Sequence, residues 1–522
     1  MNQLNNLSRY LVSVFSAPDT QTSQSEGIRV NPIVSEIASQ YEKLRNAMEW
    51  RDDEVVLRAA IERILKRRHF YGGNGKTIAA PLLRELVWAR YFPDDSISDE
   101  TVAKVEETIN LYIELRNAVI RNYKISEGEI TQFMYNVLSS HLTHFLRPNK
   151  KNETMANFMF HVMKDSIVLA DDTEETRDAQ VFIATRRAFS KDDPALIHFH
   201  LFIQYFGTPT RQNINYTIKT FMDGYSQINQ QLSHPLRHKI FAIVKRNTSP
   251  FLILEEVLLR NSTSLQEVLN NSELLQEEIS HVCEEKYKNI RSKVHRAVIR
   301  SIFFLVLTKA VIALSIEGTF ESIVYGEIMW TSIGLNIVIP PVLLALASLF
   351  ISTPGKENTQ AIIKRIHTLL FSESPKSFQP IHLQSQSIKK KSFIYPLFSV
   401  LWIGAFVASF GIVIAILNAL QFNIISQFIF IFFLTIIFFL IYRIYQTAHT
   451  YSVARKQNLT TPIIDFFFMP IARVGRFITD GVSQVNIFLI ILDFLIEAPF
   501  KGLFSFFEQW FMFMHAKREY LD

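Results

Sequence analysis

Hydrophobic and polar positions are distributed very unevenly along this chain. Four runs, 301–316, 329–352, 393–417 and 424–442, are dominated by Ile, Leu, Val, Phe and Ala, and nothing ahead of residue 297 resembles them. The last three are long enough to cross the hydrocarbon core of a bilayer as helices, at about 20 residues per crossing. From about 31 to 290 apolar residues recur instead at three- and four-residue steps, as in Val55, Val56, Ala59, Ala60, Ile64 and Leu65. That is the period of an amphipathic helix. Asp52, Asp53 and Glu54 lead this helix and Lys66, Arg67 and Arg68 close it, which suits the helix dipole. Further helices are predicted after Ser96–Ser98, after Ser126, after Asp193–Pro194 and after Ser233–Pro235, where a capping side chain or a first-turn Pro opens the pattern. Strand-like alternation is nowhere sustained, and no repeat of fixed period is present.

An all-α protein is expected, in four parts. Residues 1–30 form an N-terminal segment and linker, with a helical stripe at Leu4, Leu7, Leu11, Val14 and Phe15 and a polar stretch at 16–29. Residues 31–290 form a helical cytosolic domain, followed by a four-helix membrane domain at 291–450 with a cytosolic loop at 353–392. Residues 451–522 form an amphipathic membrane-associated region of interfacial or re-entrant helices. There Ser483, Asn486, Asp493, Glu497, Lys501, Ser505 and Glu508 make one narrow polar face, with Glu497 and Lys501 spaced to pair. The preceding IIDFFFMPIARVGRFI, with Pro470, Arg473 and Arg476, reads as another interfacial element.

Charge gives the orientation. Lys286, Lys288, Arg291, Lys293, Arg296 and Arg300 directly precede the first apolar run and are expected against anionic lipid headgroups. The segment after that run, IEGTFESIVYGE, carries Glu317, Glu321 and Glu327 and no Lys or Arg, and is expected as an external loop. The next loop holds Lys356, Lys364, Arg365, Lys376, Lys389, Lys390 and Lys391; NALQFN is uncharged; Arg443, Arg455 and Lys456 follow the fourth run. Basic segments alternate as the positive-inside rule requires, which places both termini in the cytoplasm of a multi-pass protein of the plasma (inner) membrane. The start lacks a basic leader followed by a continuous apolar stretch, so no secretory signal is expected.

Within the membrane runs, Lys309 is an ammonium at depth, a functional-site suspect by default. Its plainer reading is a stem that snorkels to the surface. Pro340 and Pro341 lack amide protons and so free carbonyls one turn earlier, where Asn336 lies. Lys309, Asn336, Pro340 and Pro341 are therefore the candidate intramembrane polar site. Gly404, Ala408, Gly411 and Ala415, at steps of four, three and four, make a smooth helix-packing face, used within the chain or between copies in a homo-oligomer.

No motif names a reaction. GGNGKT at 72–77 matches a phosphate loop only in its last three positions, follows a charged helix rather than a strand, and reads as a helix stop at Gly72 and Gly73. His141/His144 and His198/His200 lack carboxylate companions at ligand spacing. Asp171, Asp172, Glu174 and Glu175 lack the spacing and Gly of a calcium loop. The single Cys283 excludes an internal disulfide, and there are only 16 Gly in 522 residues. Basic residues follow membrane boundaries rather than an aromatic surface, so nucleic acid is not an expected partner. No cofactor or metal is expected. The composite expectation is a non-enzymatic scaffold or tether whose 31–290 domain binds a protein partner; the alternative is a small channel or transporter using the polar groups of the first two membrane helices.

Overall fold

The computed structural model describes residues 3–18, 27–49, 53–70, 73–123, 126–324, 326, 328, 330–372, 381–383, 394–453 and 461–484, with a few positions between 506 and 514. The fold is all-α. It divides into two compact units, one containing residues 3–248 with the strand at 381–383, the other containing 249–370 with 394–484.

The first unit holds α1 (Asn6–Ser16), α2 (Pro32–Glu49), α3 (Asp53–Phe70), α4 (Gly75–Trp88), α5 (Asp99–Tyr123) and α6 (Glu127–Leu146). It continues with α7 (Lys150–Lys164), α8 (Glu174–Thr185), α9 (Pro194–Phe206), α10 (Ile214–Leu232) and α11 (Arg237–Arg246). The expected helix starts at Asp99, Glu127, Pro194 and Arg237 are present. Asp193 caps α9 by accepting from the Leu196 amide at 2.9 Å, with Pro194 in the first turn. The GGNGKT segment is a helix junction: the Gly73 amide donates to the Arg68 carbonyl (3.3 Å), and Asn74 and Thr77 form a capping box that opens α4. Thr77 is thus used on the backbone, and Lys76 is exposed.

Leu82, Leu83, Leu115, Val137, Phe202 and Phe221 sit at the centre of this unit's core. Phe206 stacks on Phe221 (5.8 Å between centroids) and approaches α10 at Gly224, where a Cβ would lie 2.3 Å from the Phe206 ring. Two strands do occur, β1 (Ile167–Leu169) and β2 (Ile381–Leu383), paired in parallel with Ile167 opposite Ile381. At three residues each they are too short to give a readable alternation.

The second unit holds α12 (Ser249–Arg260), α13 (Leu265–Asn270), α14 (Ser272–Ile312), a π-helical turn (Ala313–Glu317), α15 (Gly318–Val324) and α16 (Trp330–Leu349). Then come α17 (Lys356–Phe371), α18 (Ile394–Ala419), α19 (Ile424–Ala448) and α20 (Thr461–Gln484). Among the described residues three helices are long and apolar enough to cross a membrane: Ser272–Val324, Pro396–Ala419 and Ile424–Ala448. The second run supplies a shorter apolar helix, Ile333–Leu349. Their outer faces carry Phe303, Phe304, Val400, Val407, Ile424 and Phe428, all exposed. Exposed apolar side chains in such number suit lipid better than water.

Two expectations are corrected here. The segment expected as an external loop after the first run is helical to Val324, because α14 runs through the π-helical turn into α15. The loop at 353–392 contains α17 and β2. The element with Pro470 is α20; it packs on α19 so closely that a Cβ at Gly475 would meet the Thr435 carbonyl oxygen at 2.0 Å. The polar face from Asn486 to Glu508 lies outside the described residues, as does the middle of the 16–29 linker.

Candidate functional site

One set of buried polar side chains stands out in the second unit, and the helix that starts it explains how it forms. Leu305, Lys309, Ala313, Glu317 and Glu321 are all buried, at steps of four. In an α-helix of 3.6 residues per turn, each such step drifts by about 40° around the axis. The π-helical turn at Ala313–Glu317 holds one extra residue and takes that drift back. Lys309 and both carboxylates therefore share one face.

Opposite that face stand α16 and the start of α19. Asn336, fully buried, donates through Nδ2 to Glu317 Oε2 (2.9 Å) and to the Ser426 carbonyl (3.3 Å). The Ser426 hydroxyl donates to Glu317 Oε1. Asn423 caps α19 by accepting from the Ser426 amide (2.7 Å), and its Nδ2 donates to Glu321 Oε1 (2.6 Å). Pro340 and Pro341 are buried within α16. Pro340 has no amide to give the Asn336 carbonyl four residues earlier.

Lys309 is different. Its side chain is fully buried, yet Nζ has no hydrogen-bond partner, and the same holds for Asn336 Oδ1. The ammonium lies over the rings of Phe430 and Phe433, 4.8 and 5.3 Å from their centroids. Ring faces attract a cation but accept none of its three hydrogen bonds in the ordinary sense. The snorkelling reading is thereby set aside: the stem does not lead the charge to a surface.

Of the residues singled out by sequence, Lys309, Asn336, Pro340 and Pro341 are thus buried in one bundle, and Asn336 joins the network directly. Glu317, Glu321 and Asn423 were missed because their segments read as loops, and Ser426 because it is a small hydroxyl within an apolar run. The four-residue step from Leu305 to Glu321 was the available signal. Gly404, Gly411 and Ala415 are exposed on α18, and a Cβ at either glycine would meet nothing within 4 Å. The seam α18 uses within the chain is another one, where Ser409 Oγ donates to the Phe467 carbonyl of α20 at 3.0 Å. In the basic row, Lys288, Arg291, Lys293, Arg296 and Arg300 are exposed, while Lys286 is half-buried and paired with Glu256 at 2.6 Å.

A second clasp lies within the same unit. Asn358 of α17 donates to the Tyr287 hydroxyl (2.7 Å) and the Tyr451 carbonyl (2.8 Å) and accepts from the Val453 amide (2.7 Å). Residues 287, 358 and 451 thus share one end of the bundle, and Glu321 and Asn423 share another.

The first unit gathers its titratable groups into ion pairs. Arg186 lies 2.7 Å from Asp192, which also lies 3.3 Å from His200. Arg58 contacts Glu62 and lies 2.8 Å from Asp193; Arg63 meets Glu42 at 2.5 Å. Burial would raise the Glu62 carboxyl, but Arg58 and Lys66 outweigh it and hold it at about 2. The two histidine sets meet around Phe199, which stacks on His141. Burial, with His144 beside it, pushes His141 down to about 4, whereas the contact with Glu153 at 2.8 Å raises His144. Among the described residues no three His, Cys, Asp or Glu are placed to hold a metal.

Compared with protein-family models, curated proteins and solved structures, the chain matches none of them. The functional reading rests on the geometry alone.

Proposed function

We propose that this is a multi-pass scaffold or tether of the plasma membrane, with both termini cytoplasmic, whose helical N-terminal unit binds a protein partner at the membrane surface. The observation that carries the reading is the pairing of β2 with β1. Strand β2 comes from the basic segment between α17 and α18, which the positive-inside rule assigns to the cytoplasm, and it is built into the N-terminal unit. The two clasps support the same orientation. Asn358 joins α17 to Tyr287 and Tyr451, all beside basic segments, while Glu321 and Asn423 join the two connections that carry no Lys or Arg. The exposed row from Lys288 to Arg300 suits anionic headgroups.

The test is co-purification from mildly solubilised membranes after crosslinking. A partner recovered with the full chain and lost from a chain lacking residues 1–248 supports the reading. Identical recovery from both removes it. Release of the full chain from vesicles by alkaline carbonate would remove the membrane half as well.

A second reading, transport, is favoured by the buried Glu317–Asn336–Ser426 network. Ionisable groups inside a membrane bundle are costly and mark ion or proton pathways. Liposomes holding the purified chain should then pass protons or a small cation, and Lys309→Leu should abolish the flux.

A further inference from the structure

One surface of the N-terminal unit gathers positive charge that its ion pairs do not use. Helix α11 exposes Arg237, Lys239, Lys245 and Arg246, and no Asp or Glu occurs between Asp223 and Glu255. Its buried side is Ile240 and Val244. At about 100° per residue the basic positions occupy the remaining arc. Helix α8, packed against α11, runs into a π-helical turn (Arg186–Ser190) that adds the exposed Arg187. The Arg187 guanidinium lies over the half-buried Phe241 ring, 4.8 Å from its centroid, and Lys245 Nζ lies 5.8 Å from the same point. Two cations thus share one ring. Burial, and after it the nearby Arg237, lowers the pKa of Arg187.

The acids around this face are engaged elsewhere. Glu174, Glu175 and Asp178 all fall in the first two turns of α8, away from Arg187, and Arg177 lies 2.8 Å from Asp178 and 3.6 Å from Glu174. Asp172, ahead of α8, lies 3.2 Å from His234, and Arg186 is turned inward onto Asp192. Among the described residues no carboxylate lies at ion-pair distance from Arg187, Arg237, Lys239, Lys245 or Arg246. Crowding like charges is unfavourable by itself. An anionic surface reverses that sign.

Chain connectivity says which surface is near. Arg246 comes three residues before Ser249, whose hydroxyl donates to the Thr450 and Ser452 carbonyls, just past α19, at 3.1 and 3.3 Å. Three residues reach about 11 Å at most, whatever the arrangement of the two units. In the orientation proposed above, that end of α19 meets the cytoplasmic leaflet, whose headgroups carry negative charge.

We propose that Arg187, with Arg237, Lys239, Lys245 and Arg246 of α11, docks the N-terminal unit on anionic phospholipid headgroups. The inference rests on the cytoplasmic orientation of the scaffold reading. It adds a lipid-binding face on that unit, distinct from the row between Lys288 and Arg300.

The test uses the full chain carrying Cys283→Ala and Ala242→Cys, the latter exposed on α11, labelled with a fluorophore and reconstituted into vesicles. The vesicles hold phosphatidylcholine and a nitroxide-headgroup lipid, with or without phosphatidylserine in both leaflets. Headgroup quenching of the label should be strong with phosphatidylserine and should fall when it is omitted or when salt is raised. Lys245→Glu with Arg246→Glu should lower the docked-to-free ratio by about tenfold or more. Arg187→Gln, on the other element, should move it in the same direction should the double variant fail to fold. Equal quenching with and without phosphatidylserine overturns the proposal, as does equal quenching before and after these substitutions. Absence of quenching, with binding of poly-glutamate that the variants lose, assigns the face to an acidic protein and overturns it too. An impermeant maleimide that labels Ala242→Cys in intact cells removes the orientation reading and leaves the vesicle result to decide the docking.

Discussion

Both units of this protein bury charge, and they satisfy it in opposite ways. In the N-terminal unit the buried guanidiniums of Arg58 and Arg186 and the half-buried one of Arg63 each have a carboxylate within 2.8 Å. Among the described residues of the other unit, the buried ammonium of Lys309 has none at that distance, and its neighbour Asn336 leaves an oxygen open. Local supply explains the contrast. The first unit is drawn from charge-rich amphipathic helices, so a carboxylate is near each of these three guanidiniums. The bundle has a single basic residue over the whole stretch from 301 to 355. A closed ion pair is a structural device. The bundle instead keeps a buried donor, Lys309 Nζ, and a buried acceptor, Asn336 Oδ1, without a hydrogen bond.

The contrast makes quantitative predictions. Arg186→Ala leaves Asp192 buried without its main partner and should destabilise the N-terminal unit by about 3–5 kcal/mol, read by denaturant unfolding of the full chain in detergent. The histidines come next. His141 sits at about 4 when folded against an ordinary 6.5. Above pH 6.5 both states are neutral there and the contribution is complete. As pH falls from 6.5 towards 4 the unfolded chain takes up a proton that the folded one declines, so stability drops by up to about 3 kcal/mol. His141→Gln should flatten that acid limb; an unchanged limb would assign the loss to other groups.

Smaller effects test packing. Gly224→Ala drives a Cβ against the Phe206 ring and should cost about 1–3 kcal/mol. Gly404→Ala meets open space, so any change should come from helix propensity, a gain of up to about 1 kcal/mol, measured by the same unfolding curve.

Much of the architecture was readable from periodicity. The amphipathic helices, their capped starts at Asp99, Glu127 and Pro194, and the apolar runs follow from side-chain spacing and the backbone needs of helix ends. GGNGKT could be dismissed because a phosphate loop needs a preceding strand and the upstream segment is a helix. Lys309 and Asn336 were visible because a charge or amide in an apolar run is conspicuous against its neighbours.

Glu317 and Glu321 were not visible in that way. An acidic residue beyond an apolar run reads as the first residue of a loop, and one-dimensional hydropathy cannot distinguish a helix that continues through a wide turn from one that stops. Nor could spacing show that the smooth face of Gly404 and Gly411 stays open while α18 packs through Ser409. Local sequence sets the period of each helix and the end at which it starts, because these depend on groups within one or two turns. Which buried oxygen finds a donor, and which cation is left on two aromatic rings, depends on residues some 90 to 120 positions apart brought together by packing, such as Glu317 with Ser426 and Lys309 with Phe430.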